Sequence, residues 1–71
     1  MLDWDGKARA LLKAEMAKRR MRAPALAEAL AKLGIHEQPA NLKNKINRGA
    51  FSADFVLQCL AAMEVTTIHL D

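Results

Sequence analysis

The sequence predicts an all-α protein in which four short helices are followed by an extended C-terminal tail as a fifth segment. Apolar residues recur at helical spacing in four separate segments, and proline or glycine stands at most of the boundaries between them. β-Branched residues follow one another only at residues 65–68, near the end of the sequence. The 71 residues are therefore predicted to form one compact domain over 1–71, whose small core favours association into a homodimer.

The first helix is predicted over residues 4–20. Asp3 or Asp5 is suited to cap its N-terminus, because a carboxylate accepts a hydrogen bond from the unpaired amides of the first turn. Basic residues fill most positions outside its apolar stripe, so the helix is amphipathic. The stripe expected to face the core contains Trp4, Ala8, Leu11, Leu12 and Met16.

The second helix is predicted over residues 24–33. Pro24 suits its first turn, where no backbone N–H is needed. Gly34 is expected to take the left-handed conformation that ends a helix, and Ile35 is expected to pack back on the last turn. The positions predicted to face inward are Leu26, Ala27, Leu30 and Leu33.

The third helix is predicted over residues 39–48, from Pro39 to the residue before Gly49, and its composition is unusual. The stretch NLKNKINRG holds three Asn and three basic residues but only two large apolar residues, Leu42 and Ile46. At about 100° per residue these two share one narrow side of the helix. The residues predicted to point away from it are Ala40, Asn44 and Asn47.

The fourth helix is predicted over residues 53–63 and carries the most apolar side in the sequence. Ser52 is a suitable N-cap, and Asp54 lies in the first turn, where the helix dipole favours an acid. Residues 65–71 are expected to be extended, either packed along this helix or paired as a short strand with a second copy. The inward positions are predicted to be Phe55, Val56, Cys59, Leu60 and Met63.

Charge is distributed unevenly along the sequence. Residues 1–22 hold seven Lys or Arg against three acidic residues, and residues 38–49 hold three Lys or Arg and no acid. Residues 50–71 hold three acidic residues and no Lys or Arg. Two basic segments and an acidic end are typical of a polyanion-binding surface, although a solvated charged face would have the same composition.

The sequence contains none of the patterns expected for catalysis, metal binding or membrane insertion. A nucleophile with its base, a pair of catalytic carboxylates, a phosphate-binding glycine loop and a Cys/His cluster with zinc spacing are all missing. Neither an enzyme nor a cofactor is therefore expected, and the apolar runs are too short to span a bilayer. The single Cys59 cannot form an internal disulfide, which indicates a reducing compartment and favours a cytoplasmic, nucleoid-associated location.

The second and third helices together suggest DNA recognition. A helix that ends in glycine, a turn and a short helix with a thin apolar side form the pattern of a helix-turn-helix unit. Asn can pair with the exposed edge of adenine, while Lys and Arg contact phosphate or guanine. The alternative is a capped surface helix whose Asn residues only face solvent. Because Asn is a mediocre helix former, three of them in nine residues favour a functional explanation.

The residues also resemble a known group. LAEALAKLGI, followed by KINRG and then FSADFVLQCLAAMEV, resembles the lambda-repressor-like (XRE-type) helix-turn-helix domain. More narrowly, NLKNKINRGAFSADFVLQCLAAMEV and the preceding LLKAEMAKRRM are similar to a family of short bacterial proteins catalogued as a domain of unknown function. The resemblance covers nearly the whole sequence, and it implies that the third helix is the recognition helix and that the fourth closes the core.

Several positions match the pattern of the XRE-type domain. Residues 26–27 match its second helix, and residues 34–35 match its turn. Residues 52–53 match the start of its fourth helix, whose first amides commonly meet a phosphate in such domains. The end of the recognition helix is matched by Ile46, Arg48 and Gly49.

Three features differ from that pattern. The stretch from residue 26 to residue 49 is about six residues longer than usual, which lengthens both the second helix and the turn. Residues 22–25 read RAPA, where the family often has Thr and Gln. Leu42 and Ile46 are four residues apart rather than three, which rotates the third helix relative to the family pattern.

The sequence thus predicts a bacterial transcriptional regulator that acts as a homodimer and inserts its third helix into the major groove of double-stranded DNA. The residues predicted to contact bases are Ala40, Asn41 and Asn44. Those predicted to contact phosphates are Lys18, Arg19, Arg20, Arg22, Lys43, Lys45, Asn47, Arg48 and Ser52. The alternative class is a protein-interaction adaptor or antitoxin-like module that binds a protein partner through the acidic fourth helix and the tail.

Overall fold

The computed structural model describes residues 3–49 and 51–69, and within these ranges it contains four helices and no strand. The all-α class is confirmed. Residues 70 and 71 of the predicted tail lie outside the described residues. The third helix has the predicted bounds, whereas the first, second and fourth end one or two residues before the predicted position. The helices are α1 (Trp4–Lys18), α2 (Ala23–Lys32), α3 (Pro39–Arg48) and α4 (Ala53–Ala62).

A left-handed turn ends α1, α2 and α4 one or two residues before the predicted positions, and α2 shows it most clearly. Gly34 adopts a left-handed conformation with φ +82°, its N–H donates to the Ala31 carbonyl, and the Ile35 N–H donates to the Leu30 carbonyl. This pattern closes a helix by satisfying carbonyls of its last turn, as predicted for Gly34. The same pair of bonds ends α1 and α4, with non-glycine residues in the left-handed position, Arg20 and Glu64. The apolar residue after each turn packs against the core, and these residues are Met21, Ile35 and Val65.

The N-termini of α1 and α4 have the side-chain caps that the sequence predicts. The Asp3 carboxylate accepts a hydrogen bond of 2.9 Å from the Gly6 N–H, and the Ser52 hydroxyl accepts one of 3.2 Å from the Phe55 N–H. These bonds satisfy amides that have no partner within the first turn. The other two helices each have a proline in the first turn and no side-chain cap.

The core lies where α1 and α2 each pack against both α3 and α4. Its fully buried side chains are Leu12, Leu26, Leu30, Leu42 and Cys59. The two buried side chains of α3, Leu42 and Ile46, hold this helix to the core, which confirms the predicted narrow apolar side. Val65 packs on the core after α4, and Ile68 lies near Leu57. The described part of the tail therefore runs along α4, which is the first of the two expected arrangements.

Two residues that were predicted to face inward are exposed. The Trp4 side chain is 64% exposed and the Leu33 side chain 52% exposed. The buried side of α1 carries Leu12, and Trp4 lies roughly 80° around the helix from it. Leu33 follows the last residue of α2, and the closing turn brings Ile35 to the core in its place. Leu11 and Val56, also predicted to face inward, are only partly buried.

A buried acid connects α1 with α4. Glu15 is 6% exposed, and its carboxylate accepts hydrogen bonds of 2.7 Å from Arg19 Nη1 and 3.3 Å from Lys18 Nζ. Arg19 Nε also donates to the Met63 carbonyl at the end of α4, at 3.0 Å. The guanidinium thereby satisfies both the carboxylate and a helix-terminal carbonyl, so this contact orients the two helices.

Stability should fall in acid because of Glu15. Its hydrogen bond from Arg19 lowers the pKa of this carboxyl below the usual value of about 4.5, although burial opposes the shift. A lowered pKa in the folded state stabilises the protein above pH 4.5, and the stabilisation is lost as pH falls below that value. Denaturant unfolding at pH 7, 5 and 3.5 should show a smaller acid-induced loss for Glu15→Gln than for the wild type. The control is Glu28→Gln, at an exposed position of α2, which should keep the wild-type pH dependence of stability. If Glu15→Gln keeps that dependence as well, Glu15 is not the source of the acid-induced loss.

Gly49 ends α3 at a close approach between two helices. It has φ +71°, and a Cβ atom at this position would lie 3.1 Å from the Asp5 carbonyl oxygen. Gly34 has a similar φ but open space around it. We expect Gly34→Ala to cost about 1–2 kcal/mol from backbone strain alone, and Gly49→Ala to cost about 1 kcal/mol more because α1 must move. Urea unfolding followed by circular dichroism measures both losses, and equal losses would contradict the close contact with Asp5.

Candidate nucleic-acid interface

The side of α3 opposite its buried residues faces solvent. Because Leu42 and Ile46 are buried, the positions on the opposite side of the helical wheel point outward. The exposed residues there are Ala40, Asn44 and Asn47, with Asn41 and Arg48 beside them. The structure thus places the three residues predicted to contact bases, Ala40, Asn41 and Asn44, on one exposed surface of α3.

One flank of α3 is a groove in which basic residues of three elements converge. Lys13 of α1, Arg22 at the N-cap of α2 and Lys43 of α3 line it together with Asn47. Arg22, Lys43 and Asn47 were predicted to contact phosphates, whereas Lys13 was not. No local pattern in the sequence indicates Lys13, because this groove forms only where α1, the start of α2 and α3 meet.

The other flank of α3 lies between its C-terminal half and the start of α4. Lys45, Arg48 and Ser52 line this groove, so three further residues predicted to contact phosphates are close together. Lys45 is already engaged, because its Nζ lies 2.8 Å from Glu37 Oε1 and 4.8 Å from the centre of the Phe55 ring. The exposed Arg48 guanidinium is therefore the more available cation on this flank.

Two polar contacts help to fix the orientation of α3. Arg9 Nη1 of α1 donates to the Asn47 carbonyl in the last turn of α3, at 2.9 Å. A cation there also complements the negative end of the helix dipole. The Lys45–Glu37 pair connects α3 to the turn that precedes it. Neither Arg9 nor Glu37 was predicted to take part in the site. Arg9 and Asn47 are 38 residues apart, so no local pattern in the sequence indicates their contact.

Lys18, Arg19 and Arg20 line neither groove beside α3. Lys18 lies at the far end of a groove on another side of α1 and pairs with Glu15, and Arg19 bonds to Glu15 and α4. Arg20 occupies the exposed turn after α1. The predicted phosphate contacts of these residues remain predictions, whereas the structure shows that Arg19 has a role in connecting α1 with α4.

The rest of the described chain offers little other chemistry. Burial raises the pKa of the Cys59 thiol to about 11, so this buried thiol stays protonated and unreactive at neutral pH. Over residues 3–49 and 51–69, no three His, Cys, Asp or Glu side chains could jointly hold a metal ion. None of the helices within these ranges has the length and apolar character needed to cross a membrane.

The fold and this surface define a small all-α protein whose third helix presents a polar side to solvent. Residues 4–68 match the family described as "Domain of unknown function (DUF6471)", and the chain belongs to this family. The predicted similarity to a family of unknown function is thereby confirmed. No curated protein and no solved structure matches the chain, so the resemblance to the XRE-type domain stays a prediction.

Proposed function

We propose that this protein is a sequence-specific regulator of transcription that binds double-stranded DNA as a homodimer, with α3 in the major groove. The observation that carries the proposal is the division of α3 into two sides. Its inner side holds Leu42 and Ile46 in the core, and its outer side exposes amide side chains. An α-helix that packs on the core with one side and exposes polar side chains on the other fits the major groove of DNA, which is about 12 Å wide.

The exposed side chains suit the edges of bases. The amide group of Asn41 or Asn44 can donate to N7 and accept from N6 of the same adenine in a bidentate pair. Ala40 lies on the same surface and is small enough to let the first turn approach a thymine methyl group. These roles account for three residues of α3 that contribute nothing to the core.

The two basic grooves suit the two phosphate backbones that border a major groove. Lys13, Arg22 and Lys43 lie on one flank of α3, and Arg48 and Ser52 lie on the other. Phosphate contacts on both flanks would centre the helix and set its depth, while the base contacts supply specificity. Such a protein needs no cofactor, and it would work in the cytoplasm at the nucleoid.

The longer turn between α2 and α3 is compatible with this role. Six residues separate Lys32 from Pro39, compared with about three or four in most helix-turn-helix units. The two helices nevertheless pack directly against each other. The added residues therefore do not separate α3 from its supporting helix.

The direct test is selection of bound fragments from genomic DNA, followed by titration of the selected duplex and a random duplex at two salt concentrations. The proposal predicts an enriched motif with two-fold symmetry and half-sites about 10 base pairs apart, or a multiple of that spacing. It also predicts binding of the selected duplex that persists near physiological salt. Non-selective micromolar binding that disappears at that salt concentration would favour the protein-adaptor hypothesis instead.

A further inference from the structure

One side of α1 is an exposed apolar strip with basic edges. Trp4 is 64% exposed, and Lys7 Nζ lies 5.5 Å from the centre of the Trp4 ring. Lys18 lies near the other end of the same surface. The α1 strip consists of the exposed Trp4 and Ala14 and the partly buried Ala8 and Leu11, with Lys7 and Lys18 at its edges. Lys18 also pairs with Glu15, so within residues 3–49 and 51–69 Lys7 is the unpaired cation of the two. An aromatic residue this exposed, next to further apolar residues, is typical of an interaction surface.

The outer side of α4 and the tail form a second apolar strip with acidic ends. Leu57 is 65% exposed and Ile68 is 40% exposed, and Ala61 lies with them. The exposed Asp54 is one helical turn before Leu57, and the exposed Glu64 follows the end of α4. The α4 strip therefore consists of Leu57, Ala61 and Ile68 with Asp54 and Glu64 at its ends. Residues 50–71 contain no Lys or Arg, so its charge is acidic only.

The tail joins the two strips into one surface. Ile68 lines a groove together with Leu57 of the α4 strip, and the next residue, His69, lines the same groove as Trp4, Ala8 and Leu11 of the α1 strip. The residues that line these two strips differ from those that line the two grooves beside α3. A partner bound here would therefore leave the exposed side of α3 accessible.

We propose that this surface is a two-fold symmetric dimer interface, in which the α1 strip of each copy packs against the α4 strip of the other. This inference rests on the homodimer in the proposed function and names the surface that forms it. A two-fold axis through the tail places the α1 strip of each copy, with its basic edges, opposite the α4 strip of the other copy, with its acidic ends. The same contact is then made twice. Pairing like strips would instead place Asp54 and Glu64 beside their own copies, which charge repulsion disfavours.

The required area indicates that both strips take part. A stable interface buries about 800 Å² of each partner, which is roughly one sixth of the 5151 Å² surface of the monomer. One side of a ten-residue helix such as α4 is too small to supply this area, whereas two strips joined by the tail form a broad surface. Burying Trp4 and Leu57 in a dimer would also remove from water the two large apolar side chains that are most exposed among residues 3–49 and 51–69.

Charge reversal on the two strips tests the pairing without DNA. The first variant carries Lys7→Glu, because Lys18 already pairs with Glu15, and the second carries Asp54→Lys and Glu64→Lys. Each variant alone places like charges across the interface, so we expect its dimerisation to weaken by at least about tenfold. In an equimolar mixture each strip again meets its opposite charge. Analytical ultracentrifugation should therefore show two monomers and a heterodimer that forms on mixing, while circular dichroism verifies that each variant is folded.

A pair of leucine substitutions gives an independent check if a charge variant does not fold. Leu57→Ser on the α4 strip should weaken dimerisation, whereas Leu33→Ser at another exposed position, 52% exposed, should leave it unchanged. Trp4 is the single tryptophan, so its fluorescence should shift to shorter wavelength as the wild-type concentration increases.

Three results would overturn this interface: a wild type that stays monomeric at all concentrations, charge variants that dimerise normally, or a mixture of the two variants that remains monomeric. Selection of a DNA motif in spite of such a result would leave the proposed function intact and place the dimer contact elsewhere. If the heterodimer forms as expected but no DNA motif is selected, the interface is supported and the proposed function is contradicted.

Discussion

Replacing Leu42 by alanine is expected to leave much of the protein unfolded at room temperature. Leu42 is fully buried, and it is one of the two buried side chains that hold α3 to the core. A buried Leu→Ala substitution costs about 2–5 kcal/mol, because apolar contacts are lost and a cavity remains. A domain of this size has only about 3–5 kcal/mol of net stability. Urea unfolding followed by circular dichroism should show a strongly reduced midpoint or no folded baseline.

Leu33→Ala is the matched control for this prediction. It makes the same chemical change at a position that is 52% exposed, so we expect the free energy of unfolding to change by less than about 0.5 kcal/mol. Similar losses for the two variants would mean that Leu42 does not anchor α3 in the core. The outward direction of Asn44 would then be wrong as well, because it follows from the burial of Leu42.

Replacing Asn44 by alanine is expected to remove selectivity for one DNA sequence. Asn44 is exposed and lies on the side of α3 opposite the core. Loss of a bidentate pair with adenine should cost about 1–3 kcal/mol on the selected duplex, or about 5- to 150-fold in affinity. Affinity for a random duplex should hardly change. Titration of both duplexes with the wild type and the variant measures the difference.

Arg48→Ala is the comparison for Asn44→Ala. Arg48 lines the groove between α3 and α4 and should contact phosphate. Its removal should weaken the selected and random duplexes by similar factors, and it should lower the slope of affinity against salt concentration by about one. Equal losses on both duplexes for Asn44→Ala as well would contradict the assignment of Asn44 to base contact.

Local chemistry explains which parts of the fold were predictable from the sequence. The left-handed turn at Gly34, the caps at Asp3 and Ser52 and the proline at the start of α3 each depend on residues close together in the chain. The four helices could therefore be placed to within two residues. The two buried residues of α3 were also predictable, because the segment offers no other large apolar side chain.

Spacing alone did not determine which side of α1 is buried. Leu11 and Leu12 are both compatible with an apolar stripe, and the structure buries Leu12 together with Glu15. An acid in the interior is predictable only when its partners are known. Arg19 satisfies the carboxylate and also bonds to Met63, 44 residues further along the chain. Trp4 is consequently left on the exposed side of the helix.

The candidate interface was predictable only for the residues that α3 itself supplies. The exposure of Asn44 follows from the burial of Leu42 on the opposite side of one helix. The convergence of Lys13 and Arg22 beside α3 depends on how three helices pack. The same holds for the Arg9 contact with the Asn47 carbonyl, which connects α1 to α3. Sequence periodicity contains no information on such contacts between elements.

The outer side of α3 is the surface that we propose meets DNA. The most direct measurement is nuclear magnetic resonance of the isotope-labelled protein during titration with the selected duplex. We expect the largest shifts at the backbone amides of residues 40–48 and at the side-chain amides of Asn41 and Asn44, with little change at Leu57. Largest shifts on α4 and the tail, with residues 40–48 unchanged, would show that α3 is not the DNA-binding surface.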